Sequence, residues 1–218
     1  MKSDGTKDIS QDATQNTSWF PIGMAEGADN LPRVLYKGKY QSMVTVHTND
    51  GSYSSQGASS ILTDWVPQAI AVGNDNVGRL AFRYEADERW ALWECNANCS
   101  GPASQSYDWG PWDDGAGHKW NLLSISMTNS GSYPFKTLWT LNGTDKMSNI
   151  HFSSDGSTLG AYNSTYGPYT DWVPVGIGGG SDDYARILWD DVSANSCTLW
   201  RMDTSANKYG SNFDYQRW

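Results

Sequence analysis

The phrase Thr63-Asp64-Trp65-Val66-Pro67 returns unchanged as Thr170-Asp171-Trp172-Val173-Pro174. A chain that repeats itself must solve the same packing problem several times, so this feature limits the fold more than composition does. Following each copy downstream reveals four units, opening at Trp19, Trp65, Trp120 and Trp172. They lie about 50 residues apart, the spacing of propeller blades and solenoid repeats.

The same landmarks recur inside each unit. An apolar run follows the opening Trp, as in Val66-Pro67-Gln68-Ala69-Ile70 and Val173-Pro174-Val175-Gly176-Ile177. Three units then reach a polar turn: Gly27-Ala28-Asp29-Asn30, Gly73-Asn74-Asp75-Asn76 and Gly180-Ser181-Asp182-Asp183. A second strand starts near a basic residue (Arg33, Arg79, Lys136, Arg186) and closes on an aromatic (Tyr36, Phe82, Trp139, Trp189). The third-strand segments are Val44–His47, Ala91–Glu94, Ser148–His151 and Thr198–Arg201. A fourth strand leads to the next Trp, most legibly in Tyr166-Gly167-Pro168-Tyr169-Thr170-Asp171-Trp172.

Four short alternating strands per unit are the signature of a propeller blade. One small sheet cannot bury its own faces; stacked about an axis, each sheet covers its neighbour. The expected fold is all-β: a small β-propeller of four tandem four-stranded repeats, at 19–64, 65–119, 120–171 and 172–218. It would close on itself or be completed by a second chain, as a homo-oligomer. No segment carries helical periodicity. Residues 1–18 are polar and read as a disordered lead-in without the apolar middle of a signal peptide.

The formal charge of −9 and the lack of a basic stripe argue against nucleic acid and anionic membranes as partners. No apolar stretch reaches the roughly 18 residues of a membrane span. Cys95 and Cys99 are spaced either as a local staple or as two free thiols, and Cys197 has no evident mate.

The sequence holds no phosphate loop, nucleophile elbow or His-Glu-x-x-His. His47, Glu94, His151 and Arg201 share one third-strand position, which reads as solvated. The pairs Asp113-Asp114, Asp182-Asp183 and Asp190-Asp191 read as turn residues, because sequence neighbours cannot flank a glycosidic bond from opposite sides. Asp29, Asp75 and Asp182 offer too few ligands for calcium. No catalytic residue, metal or cofactor is expected.

Twelve Trp remain to be explained. The opening Trp residues and the second-strand aromatics read as inter-blade core. The aromatics of the fourth strand and its loop (Tyr107, Trp109, Trp112, Tyr166, Tyr169, Phe213, Tyr215) exceed what an outer strand should bury. Their rings would either cover blade interfaces or stack on sugar C–H faces.

The run Tyr166-Gly167-Pro168-Tyr169, with Trp109-Gly110-Pro111-Trp112 as an aromatic variant, resembles tandem repeats of bacterial secreted proteins. More loosely, residues 19–218 are similar to lectin propellers of the tachylectin-2 type. The resemblance implies a secreted or extracellular, multivalent, non-catalytic module that binds glycans or glycoconjugates. The expected ligand-binding residues are Trp109, Trp112, Tyr166, Tyr169 and Tyr215, with Asp64, Asp171, Arg79 and Arg186 for sugar hydroxyls. A protein-interaction or structural propeller is the alternative reading, and a glycoside hydrolase a third.

Overall fold

The computed structural model describes residues 19–39, 41–48, 52–59, 64–100, 103–129, 131–167, 169–191 and 193–216. The expected lead-in at 1–18 lies outside them. Sixteen strands form four antiparallel sheets, each from four consecutive strands, and no helix occurs among the described residues. Blade 1 holds β1 (Phe20–Glu26), β2 (Pro32–Lys37), β3 (Ser42–His47) and β4 (Tyr53–Ser59). Blade 2 holds β5 (Trp65–Val72), β6 (Gly78–Tyr84), β7 (Trp90–Cys95) and β8 (Ser104–Trp109). Blade 3 holds β9 (Trp120–Met127), β10 (Phe135–Leu141), β11 (Met147–Phe152) and β12 (Leu159–Tyr166). Blade 4 holds β13 (Trp172–Gly179), β14 (Ala185–Asp191), β15 (Ser196–Met202) and β16 (Phe213–Gln216). The fold is a β-propeller of four blades.

Local chemistry repeats as the sequence does. Every innermost strand carries a bulge at one place, after Pro21, Pro67, Leu122 and Pro174; a bulge sharpens the twist that blades need. In the first turns Asn30, Asn76 and Asp183 take left-handed backbone, at φ 56°, 59° and 61°, which Asn and Asp tolerate best after glycine. Asp29, Asp75 and Asp182 accept the N–H two residues on and pair with the arginine four residues on, at 2.7, 2.6 and 2.6 Å. Blade 3 has no aspartate in this turn, and its Lys136 pairs instead with Asp183 of blade 4, at 3.6 Å. Asp190 and Asp191 end a strand rather than lying in a turn.

The core lies between blades. Leu35, Val44 and Val46 pack on Ile70, Leu80 and Phe82; Ala81, Leu92 and Trp109 pack on Ile125, Phe135 and Trp139; Leu138 and Met147 pack on Ile177, Ile187 and Trp189. Polar struts cross the same interfaces. Arg33 donates to the Ala97 carbonyl at 2.7 Å, Arg79 to the Ser154 carbonyl, and His151 Nδ1 lies 3.3 Å from the Thr204 carbonyl. All three carbonyls belong to the turn between the third and fourth strands of the following blade. Cys95 and Cys99 form a disulfide across the turn that presents Ala97.

Two expectations are corrected. His151 is fully buried, not solvated, because it shares the interface with Lys136. Pairing also places Val46, not His47, opposite the basic residue of blade 1, as Glu94, His151 and Arg201 are in the other blades. Counted between paired equivalents, the link between second and third strands is two residues shorter in blade 1 (Lys37 to Ser42) than in the others (Arg83 to Trp90, Thr140 to Met147, Asp190 to Cys197), which moves its register.

Neighbouring inner strands pack in series: β1 on β5, β5 on β9, β9 on β13. No comparable packing joins β13 to β1 among the described residues.

Candidate functional site

Two aromatic notches occupy equivalent places on blades 3 and 4. In each, the N–H of the opening Trp is held by the carbonyl of an aromatic from the incoming loop: Trp120 by Trp112 at 2.9 Å, and Trp172 by Tyr169 at 3.2 Å. That bond sets the loop ring against the second-strand Trp. Trp112 lies 4.9 Å from Trp139, tilted by 52°, and Tyr169 lies 5.6 Å from Trp189, edge-on. Third-strand neighbours complete each notch, Ser148 and Ile150 on blade 3, Thr198 and Trp200 on blade 4.

The two differ in size. The blade 4 notch encloses about 140 Å³, below the range of roughly 300–1,000 Å³ typical of ligand sites. The blade 3 notch reaches about 350 Å³. It runs on through Trp112, Ile150 and Tyr162 into a groove of about 490 Å³ between β8 and β12. Tyr107, Leu159 and Tyr162 are exposed along this groove, and Asp108 and Asp113 border it. Behind Asp113, Asp114 accepts from His118 at 2.8 Å. That contact holds the Asp114 carboxyl down at about 2, so it is charged at any ordinary pH.

In blade 2 the opening Trp is capped by the protein itself. Arg89 stacks over Tyr84 at 5.0 Å and over Trp65 at 5.9 Å. In blade 4 the Lys208 ammonium lies 4.6 Å from the Trp200 ring. Both are cation–ring contacts, in which a positive charge lies against an aromatic face.

The residues expected to bind ligand separate into three groups. Trp112 and Tyr169 are in the notches. Trp109, Tyr166 and Arg79 are interface struts, which corrects their assignment. Trp109 is 2% exposed, and its indole N–H donates to the Gly156 carbonyl at 3.2 Å. Tyr166 donates its hydroxyl to the Ala206 carbonyl at 2.7 Å. Strand pairing makes Trp109 and Tyr166 equivalent, and both reach under the hairpin turn of the following blade. A fourth strand can therefore bury a ring, by passing it beneath its neighbour. Arg79 is closed off between Asp75 and Glu94.

The rest lie elsewhere. Arg186 is held by Asp182. Asp64 accepts from the Tyr84 hydroxyl at 3.4 Å. Asp171 is a turn residue with φ 71°. Tyr215 stands exposed on the far face of blade 4. Sequence reasoning missed Tyr162 and Leu159, whose three-residue spacing on β12 would set them on opposite faces but for a register shift between Leu159 and Ala161, and Trp120 and Trp139, which serve core and notch together.

An axial channel of about 540 Å³ runs between the four inner strands. Among its described lining residues Glu26 is the one carboxylate. No group of three or more His, Cys, Asp or Glu among the described residues is placed to hold a metal ion. No described helix is long and apolar enough to cross a membrane.

No family model and no curated protein matches the sequence. Solved structures do match in fold. A protein from Lactobacillus plantarum superimposes with a TM-score of 0.59 at 15% identity, over 89% of this chain and 55% of its own. The exo-β-1,3-galactanase of Phanerochaete chrysosporium, solved with β-1,3-galactotriose, gives 0.57 at 13%, over 84% and 47%. A putative 6-phosphogluconolactonase from Bacteroides uniformis gives 0.56 at 14%, over 96% and 58%. The chain spans about half the length of these structures, and at such identities the likeness is one of fold.

Proposed function

We propose that this chain is a lectin-like, non-catalytic module that binds neutral glycans in the groove of blade 3. The observation that carries this reading is the solvent-open row of rings running from Trp120 and Trp112 past Tyr162 to Tyr107, edged by Asp108 and Asp113. Sugar rings present C–H faces that stack on aromatics and hydroxyls that donate to carboxylates. The formal charge of −9 disfavours anionic glycans.

The smaller blade 4 notch serves as a second, weaker point of contact; two contacts on one rigid body gain from high effective concentration. Hydrolysis needs two carboxylates across the scissile bond, and among the described residues Glu26 stands as the one lining acid of the axial channel.

A glycan array followed by calorimetric titration of the best neutral oligosaccharide tests the reading. Trp112→Ala should abolish measurable binding while the melting temperature stays near that of the parent protein. Tyr169→Ala should weaken binding to a multivalent glycan surface and leave the affinity for a soluble oligosaccharide unchanged. A blank array with folded protein would end the proposal.

A further inference from the structure

The two ends of the blade array carry uncovered faces that match each other. Equivalent positions, read from strand pairing, make the comparison direct. On the face each blade turns to its successor, Leu35, Ala81 and Leu138 are fully buried, whereas their blade 4 counterpart Leu188 is 38% exposed. Beside it, Arg33 and Arg79 reach carbonyls of the next blade, while Arg186 bonds within its own blade, to Asp182 and the Tyr184 carbonyl. Tyr215 is paired with Cys197 as Trp109 is with Trp90 and Tyr166 with Met147. Trp109 and Tyr166 donate to the next blade's hairpin, and Tyr215 stands 53% exposed.

The opposite face shows the same contrast at the other end. Ile70, Ile125 and Ile177 are buried against the preceding blade, but Met24, their counterpart in blade 1, is 70% exposed. Blade 4 therefore presents the surface that every inner interface uses on one side, and blade 1 the surface used on the other.

We infer that two copies of this chain associate head to tail, blade 4 of each on blade 1 of the other, to close one ring of eight blades. The chain already encodes both halves of the interface, three times over, so a second copy supplies what each end lacks. A two-fold axis along the channel makes both new contacts at once and leaves no face open.

Sedimentation equilibrium tests this independently of any sugar. The expected result is a single species of twice the 24.1 kDa chain mass. Met24→Asp and Leu188→Asp alter exposed side chains, so the monomer should keep its fold by circular dichroism; each variant alone should be monomeric. Mixed together, the two variants should recover association, because one of their two contacts is then wholly native. Alkylation of Cys197, which lies on the same blade 4 face, should be slow in the parent protein and fast in Met24→Asp.

A folded parent chain that stays monomeric up to about 100 µM, well above micromolar affinities for interfaces of ordinary size, would overturn the inference. So would a Met24→Asp variant that remains dimeric, which would mean that blade 4 faces pair with each other. A ladder of larger polymers would overturn the closure.

Discussion

His151 sits where a positive charge is least tolerated. It is fully buried, and its Nδ1 lies 3.4 Å from the Lys136 ammonium. Burial first, and that ammonium second, push the imidazole down to about 4, against the opposing pull of Asp183 and Asp203. The unfolded chain takes up this proton near the ordinary value of 6.5, while the folded chain refuses it until about 4. The stabilisation is therefore complete above pH 6.5 and is lost as the pH falls toward 4, by about 3 kcal/mol across the window. Urea midpoints from pH 7 to pH 4 should show this slope, and His151→Asn, which cannot titrate, should flatten it. A parallel slope in the variant would place the titration elsewhere. Nothing in the sequence pointed to this burial, because Glu94 and Arg201 share the position and suggested solvent. The same limit applies to Trp109 and Trp112. Both belong to one aromatic motif, yet the first ends β8 beneath a neighbouring turn and the second begins a surface loop. Which ring is covered depends on a residue about 50 positions away, Gly156, and no local pattern encodes that.

At the scale of the element, the acidic turn and its basic partner form one device used in two settings. The Arg79 side chain is 3% exposed and that of Arg186 is 32%, although both make the same pair with the aspartate four residues earlier. Removing Arg79 takes the donor from the Ser154 carbonyl and the partner from Glu94, while the Asp75 carboxylate left behind is 46% exposed and screened by water; an exposed pair such as that of Arg186 contributes about 0–1 kcal/mol. In dilute protein Arg79→Leu should cost several times more than Arg186→Leu, as read from chemical denaturation. Equal losses would mean that the blade interface adds nothing to the arginine's role. The sequence showed this device clearly, with Asp and basic residue in fixed register in three units, and pointed to a local ion pair. It could not show that the guanidinium also reaches across to Ala97 or Ser154. The third strand of blade 1 was misregistered by one residue for a related reason: its shortened preceding turn is visible in the sequence only once the pairing is known.

The whole molecule is a linear array whose stability is a sum of blades and the interfaces between them. The sequence made blade number and strand content legible, since both are written locally and repeated. Closure was not legible, because it depends on the angle between successive sheets, to which many small contacts contribute. The open ends have a consequence for stability as well as assembly. Among the described residues an end blade lacks one of the two interfaces that hold an inner blade, so β1–β4 and β13–β16 should exchange amide hydrogens before β5–β12 in dilute protein. If the ends pair between copies, folding is linked to association, and the melting temperature must rise with concentration. For a dimer of this size the rise is about 2 °C per tenfold increase in protein, from the usual unfolding entropy per residue. Scanning calorimetry over two decades of concentration should show that rise in the parent chain and a constant melting temperature in Met24→Asp. Exchange measured along the same series ties the two effects together: protection gained at high concentration should appear in the first and last blades and leave the middle pair unchanged. Uniform protection across all four blades would assign the concentration dependence to some contact other than the ends.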